Sequence, residues 1–235
     1  MMPRLSALIV LAVLLAACDS PRDREPKINP PPSPPAAGDF PPPARSAASA
    51  VPRPSVFAWD EASGSFTGDG QKLQAGRLWT FEGSTHGFVL AGGQVAPAEP
   101  AGLAVALRVF DPILRTPSGL DLDGSRYSLV LVRLTRVAAG SDWDGTLFYA
   151  TDAHPESGDY MAVPLDRTPP VLNETVILAY DLRRPYKGGD DWITSRIDQV
   201  RLDLDDQPGG EFLIHQVAIV EPPSATPPPA LRPGP

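Results

Sequence analysis

Apolar residues along this chain recur at every second position far more often than at the three- and four-residue spacing of a helix. The longest run, Arg126 to Val137, reads as a strand buried on both faces at first and on one face later. Further strands are predicted over Ser55–Asp60, Arg77–Phe81, Gly87–Leu90, Leu103–Phe110, Thr146–Thr151, Tyr160–Leu165, Glu174–Leu182, Val200–Leu204 and Phe212–Val220. In Val200–Leu204 the residues at 200, 202 and 204 share an apolar face, which leaves Arg201 and Asp203 on the polar one. Phe212 and Ile214 alternate correctly, but Val217 and Ile219 fall one step out of phase, which predicts a bulge near His215 and Gln216. Gly68-Asp69-Gly70, Gly92-Gly93, Asp123-Gly124, Asp144-Gly145, Gly188-Gly189 and Pro208-Gly209-Gly210 mark turns between these runs. Many short strands must bury their apolar faces against a second layer, so the expected fold is all-β, a two-sheet antiparallel sandwich over residues 55–221.

The flanks read differently. Twelve of the 34 residues from Pro21 to Pro54 are proline, and a residue that fixes φ and lacks an N–H builds neither helix nor sheet. Residues 18–54 are therefore expected to be a disordered, polyproline-like linker, reaching up to roughly 100 Å at ~3.1 Å per residue. Residues 222–235 form a second proline-rich, disordered tail. At the start, a basic Met1–Arg4 precedes the apolar run Leu5–Leu15, which is too short to span a bilayer as a helix. Charge, short apolar core and small residues describe a signal peptide over 1–17.

That segment ends in Leu15-Ala16-Ala17-Cys18, and Cys18 is the only cysteine of the 235 residues. The sequence resembles the lipobox of bacterial lipoproteins. The resemblance implies that the Cys18 sulfur carries a diacylglyceryl group, that cleavage precedes Cys18 and that acyl chains, palmitate among them, hold the protein at a membrane of the cell envelope. Asp19 in the next position leans toward the periplasmic face of the inner membrane, with the outer membrane as the other destination. With no second cysteine, neither a disulfide nor a thiolate metal site is available. The formal net charge of −8 argues against nucleic acid, whose phosphates call for clustered Lys and Arg.

Within 55–221 a second resemblance appears. Val200-Arg201-Leu202-Asp203, a glycine turn, then Phe212-x-Ile214 and Val217-x-Ile219 resemble the closing strand pair of galactose-binding-like jelly rolls, a superfamily that includes many carbohydrate-binding modules. Trp79-x-Phe81 with Gly87-Phe88, Asp111-Pro112 with Pro117-Ser118, and Trp143-x-Gly145-x-Leu147-Phe148 extend the match. The chain departs from it at His215, where the family often carries Asp. The resemblance implies a jelly roll, a glycan ligand and, in many members, a structural calcium. Asp203 and Asp205 are the weak calcium candidates here; acids solvating a hairpin are the alternative. No other cofactor is expected.

Sugar recognition needs an aromatic face with hydrogen-bonding groups around it. Trp143, between Asp142 and Asp144, is the leading aromatic candidate; Tyr186 and Trp192 border a second polar loop, and Arg133 or Arg136 is placed on the same surface by the long strand. Both readings of the tryptophans stand at this point: contact with ligand, or plugs at the ends of the sandwich. His86, His154 and His215 lie in separate segments without metal-protease spacing, and no Gly-x-Ser-x-Gly occurs. No catalytic constellation is visible. The expected function is a non-catalytic, membrane-anchored module binding a polysaccharide or an envelope protein. An envelope enzyme acting on carbohydrate and a structural subunit of an envelope complex are the alternatives.

Overall fold

The computed structural model describes residues 56–224. Cys18, the 1–17 signal segment, the 18–54 linker and most of the 222–235 tail lie outside the described residues. The described residues form fifteen strands: β1 Phe57–Asp60, β2 Ser65–Gly68, β3 Gln71–Lys72, β4 Ala75–Trp79, β5 Val89–Ala91, β6 Gly93–Pro97, β7 Leu103–Leu107, β8 Ile113–Arg115, β9 Leu122–Asp123, β10 Leu129–Ala138, β11 Trp143–Thr151, β12 Met161–Ala162, β13 Thr175–Asp181, β14 Arg196–Asp205 and β15 Glu211–Val220. A single helical turn, α1, spans Asp191–Thr194.

The strands pair antiparallel, and twelve of them form two six-stranded sheets. Sheet I has the order β13-β10-β15-β7-β6, with β4 continuing the β7 edge of β15. Sheet II has the order β12-β11-β14-β8-β5, with β9 continuing the β8 edge of β14. From β10 onward the chain crosses between sheets four times: β10 to β11, β12 to β13, β13 to β14 and β14 to β15. The result is the all-β, two-sheet antiparallel sandwich that the alternating pattern predicts, of the jelly-roll type that the resemblance implies.

Inward-facing Val130, Val132 and Leu134 of β10 meet Leu147 and Tyr149 of β11 and Val200, Leu202 and Leu204 of β14 in one core between the sheets. Each such aliphatic side chain contributes ~1.5–3 kcal/mol on leaving water. The other face of sheet I is covered as well. β1, β2 and β3 form a small separate sheet whose Phe66 and Leu73 pack on Leu129, Leu131, Ala179, Ala218 and Val220. This third layer explains the change of pattern within β10: its first residues are buried on both faces, while Arg133, Thr135 and Val137 lie beyond the cover.

The bulge in β15 is where the phase slip places it. Arg133 pairs with Gln216 and Leu134 with Ile214, so His215 is the extra residue, and its Nε2 lies 2.9 Å from Thr135 Oγ1. Burial, with Arg133 adding to it, pulls the His215 imidazole below its ordinary range.

At one end of the core the sheets are joined by an ion pair. Arg136 of β10 turns inward and donates to Asp205 of β14 at 2.6 Å; both are buried. The Gly140 N–H donates to the second Asp205 oxygen at 2.8 Å, and the guanidinium lies over Trp143 and Phe212 at 5.4 and 5.9 Å. Truncating one partner strands a buried charge, which costs ~3–5 kcal/mol. Asp205→Ala is therefore expected to lose about that much stability in urea denaturation, and the double change Arg136→Met with Asp205→Leu markedly less than the sum of the two single changes.

Candidate functional site

Among the described residues no third sheet packs on the outer face of sheet II. Cross-strand register places Met161 of β12, Phe148 of β11, Arg201 of β14, Arg115 of β8 and Val89 of β5 in one row across it. These side chains face outward because Leu147, Tyr149, Leu202 and Leu114, their neighbours in sequence, fill the core. Thr146 and Asp203 form the adjacent rung.

Arg201 is the hub of this face. Its guanidinium lies 4.6 Å from the centroid of the Phe148 ring. It also reaches Asp111 at 3.3 Å and Glu156 at 3.7 Å, and it holds Asp203 through both carboxylate oxygens. Glu156 arrives from the β11–β12 loop and takes Arg115 as its main partner, with Nε 3.1 Å from each carboxylate oxygen. Between that loop and strands β14 and β8 runs an open groove of about 570 Å3, lined by Arg115, Ala150, His154, Glu156 and Gln199 among others.

Acids outnumber bases here, and the protonation pattern follows. Burial pushes the Asp203 carboxyl up to about 6, against the pull of Arg201, while Asp144 and Asp111 push the same way. Burial lowers Arg201 but is outweighed by Asp203, Glu156 and Asp111, which hold it above its ordinary value. The two directions agree: several carboxylates share one guanidinium, so the arginine stays charged while a crowded acid retains its proton longer. Burial also raises Asp144 and Asp206.

At the rim the β7–β8 loop presents Val109 and Phe110, the latter 70% exposed. The loop is braced by Arg108 and Val109 N–H groups donating to Gly92 O and by the Asp111 N–H donating to Asp206 O at 3.0 Å. Asp111 itself adopts φ +49, a conformation that most side chains avoid. Phe110 immediately precedes in sequence the acid that touches Arg201.

The structure distributes the sequence-predicted site residues over several places. Trp192 is fully buried: α1 sets it into the core, where Nε1 donates to Tyr127 O at 3.0 Å and the ring meets Tyr149 edge-on. It is a plug, not a ligand contact. Trp143 is half-buried against Phe212 and Arg136 and likewise closes an end of the sandwich. Arg133 lies on the outer face of sheet I, bonded to Gln216 and paired with Glu61, and Arg136 points inward, so neither shares a surface with Arg201. Tyr186 is 59% exposed in a separate loop.

Asp203 and Asp205, the calcium candidates, are each held by an arginine. Arg201 occupies one carboxylate and Arg136 with Gly140 the other, and among the described residues no three His, Cys, Asp or Glu side chains cluster as a metal site would require. His154 has both ring nitrogens engaged, by Asp191 and by Pro155 O, and stacks on Tyr160 at 3.5 Å.

In the sequence Phe148 stands out only within the Trp143-x-Gly145-x-Leu147-Phe148 match and Phe110 only as the end of a strand run, and nothing marks Arg115 or Glu156 as site residues. Alternation in β11 carried a signal for Phe148, and alternation in β14 placed Arg201 and Asp203 correctly. Nothing local announces that Glu156 folds back onto Arg115.

Comparison with known protein families and with curated proteins finds no match. Among solved structures, the CBM22-1 xylan-binding domain of Paenibacillus barcinonensis Xyn10C aligns at 14% identity and TM-score 0.45, covering 65% of this chain and 97% of that one. The family 29 carbohydrate-binding module CBM29_1 of Piromyces equi aligns at 6% identity and TM-score 0.40, over 61% and 90% of the two chains. A carbohydrate esterase of Shiga toxin-encoding bacteriophage phi24B aligns at 9% identity and TM-score 0.42, over 63% and 99%. At such distances what this protein does is read from its own geometry.

Asp203 offers a direct check on that geometry. A folded value near 6 against an ordinary 3.8 means that its contribution to stability is complete below about pH 4 and is lost as pH rises through 6. Wild-type stability is expected to fall relative to Asp203→Asn across that window, by ~1–3 kcal/mol, as read from urea midpoints at successive pH values.

Proposed function

We propose that the protein is a non-catalytic glycan-binding module and that the open face of sheet II is its binding surface. The observation that carries this reading is the Phe148–Arg201 pair at the centre of an uncovered sheet face. An aromatic ring beside a fixed guanidinium offers a sugar both an apolar surface for its C–H face and donors for its hydroxyls. Asp203, Glu156 and Asp111 supply acceptors around it, and exposed Phe110 extends the aromatic surface at the rim.

The same network speaks against carbohydrate hydrolysis. A glycosidase needs one carboxylic acid free to protonate the leaving oxygen and a second free to act as base or nucleophile. On this face Glu156 is held by Arg115 and Asp203 by Arg201, through both oxygens in each case. The rigid pairing suits recognition, where side chains prepositioned before the ligand arrives lose little entropy on binding.

Lipidation at Cys18 and location in the bacterial envelope belong to this proposal and rest on the Leu15-Ala16-Ala17-Cys18 sequence. A lipid-held head on an extended linker would work at high local concentration against a surface-bound polysaccharide. An envelope protein as partner, or a structural role in an envelope complex, has no comparable feature in its favour.

A glycan array followed by calorimetry on its strongest neutral hit tests the binding reading. Phe148→Ala and Phe110→Ala are each expected to weaken binding about 2- to 13-fold, the equivalent of ~0.5–1.5 kcal/mol per aromatic contact, with unchanged thermal unfolding. Binding that ignores both changes, or no polysaccharide retained above background, overturns it. For the anchor, Cys18→Ala is expected to move the protein expressed in a bacterium from the detergent to the aqueous phase on Triton X-114 partition.

A further inference from the structure

The arginines of the folded region are nearly all committed. Of the eleven among the described residues, eight pair with a carboxylate. Arg77 donates to the Gly76 and Leu120 carbonyls. The two that remain, Arg167 and Arg184, have no side-chain hydrogen bond or ion pair among the described residues, and both line the same groove. In a chain of net charge −8, abundant carboxylate was available to satisfy them.

This groove, about 350 Å3 in volume, lies where the chain leaves β12 and where it leaves β13. Leu165, Arg167, Asp181, Arg184, Pro185 and Tyr186 line it. Its walls are fixed by backbone bonds: the Leu165 N–H donates to Ala179 O at 2.8 Å, and Lys187 and Met161 exchange N–H···O bonds at 2.9 and 3.3 Å. The one acid in the lining has no hydrogen bond or ion pair to Arg167 or Arg184, although the Arg184 charge helps to lower its pKa. Asp181 accepts from Nε and Nη2 of Arg183 at 2.8 and 2.7 Å and from the Arg183 N–H, so its charge is spent within its own turn. Burial works to raise that carboxyl, but these bonds hold it below its ordinary value. The Arg167 guanidinium lies 5.6 Å from the Tyr186 ring, which is largely exposed.

We infer that this groove is a second binding site, for a saccharide unit bearing an oxyanion: a uronate carboxylate, or a phosphate or sulfate ester. Two unpaired guanidiniums supply planar donor forks matched to such a group, while Tyr186, Pro185 and Leu165 give the sugar ring an apolar surface. The volume is at the small end of ligand pockets. The site shares no residue with the Phe148–Arg201 face, so it stands or falls independently of that reading.

The test is calorimetric titration of the folded protein with trigalacturonate, with its full methyl ester and with glucose 6-phosphate, at low and at physiological salt. Trigalacturonate or glucose 6-phosphate is expected to bind, with the methyl ester at least tenfold weaker than the free acid and with affinity falling as salt screens the charges. The double change Arg167→Gln with Arg184→Gln should reduce anion binding at least tenfold while leaving the thermal unfolding midpoint unchanged. Equal binding of acid and ester overturns the proposal, as does an unaffected double variant. Retention on phosphatidylglycerol vesicles without binding to either anionic sugar would overturn it too, by assigning the arginines to a lipid surface.

Discussion

Every strand has two faces, and the whole architecture follows from how each sheet disposes of its second one. Sheet I buries its inner face in the shared core and part of its outer face under β1–β3, so Leu129, Leu131, Ala218 and Val220 are apolar although they point away from the core. Sheet II buries its inner face in the same core and has no second sheet on its outer one among the described residues. Its outward positions mix Arg115, Thr146, Arg201 and Asp203 with Met161, Phe148 and Val89, and loops bury only some of them, Thr146 and Asp203 among these. The asymmetry of covering therefore decides which surface is free to meet another molecule.

That free surface is held by charge rather than by apolar contact. Arg201 is ringed by Asp111, Glu156 and Asp203, with Arg115 taking up part of the excess. Such a lattice is costly to desolvate, and partial exposure keeps the cost tolerable while fixing the geometry. Arg136 and Asp205 use the same chemistry with the opposite exposure: at the closed end of the core they join the two sheets, and their charges meet each other and not a ligand. Position along the sandwich, not residue type, separates the two roles.

Much of the fold could be read from alternation alone. β10, β14 and β15 are long, and their patterns repeat often enough to be unambiguous; even the doubled burial early in β10 left its mark. The short strands β2, β3, β6, β8 and β9 escaped because two to five residues give alternation too little length, and because β6 carries Gly93 and Pro97, which ordinarily signal turns. The candidate site was legible only in part. Arg201 and Asp203 followed from phase, but tryptophan drew attention to Trp143 and Trp192, whose bulk serves the sandwich ends. Phe110 looked like strand because it continues the apolar run from Leu103, and Glu156 becomes a neighbour of Arg115 only when a loop folds back across 41 positions of chain.

His215 carries a consequence for how the last strand finds its place. A straight β15 could direct either Phe212 and Ile214 or Val217 and Ile219 toward the core, since the two pairs differ in parity; the single surplus residue between them admits both. A slide of the whole strand by one position would turn out both pairs at once. The swelling in the backbone thus works as a key cut for one alignment, and competing registries lose on both sides of it together.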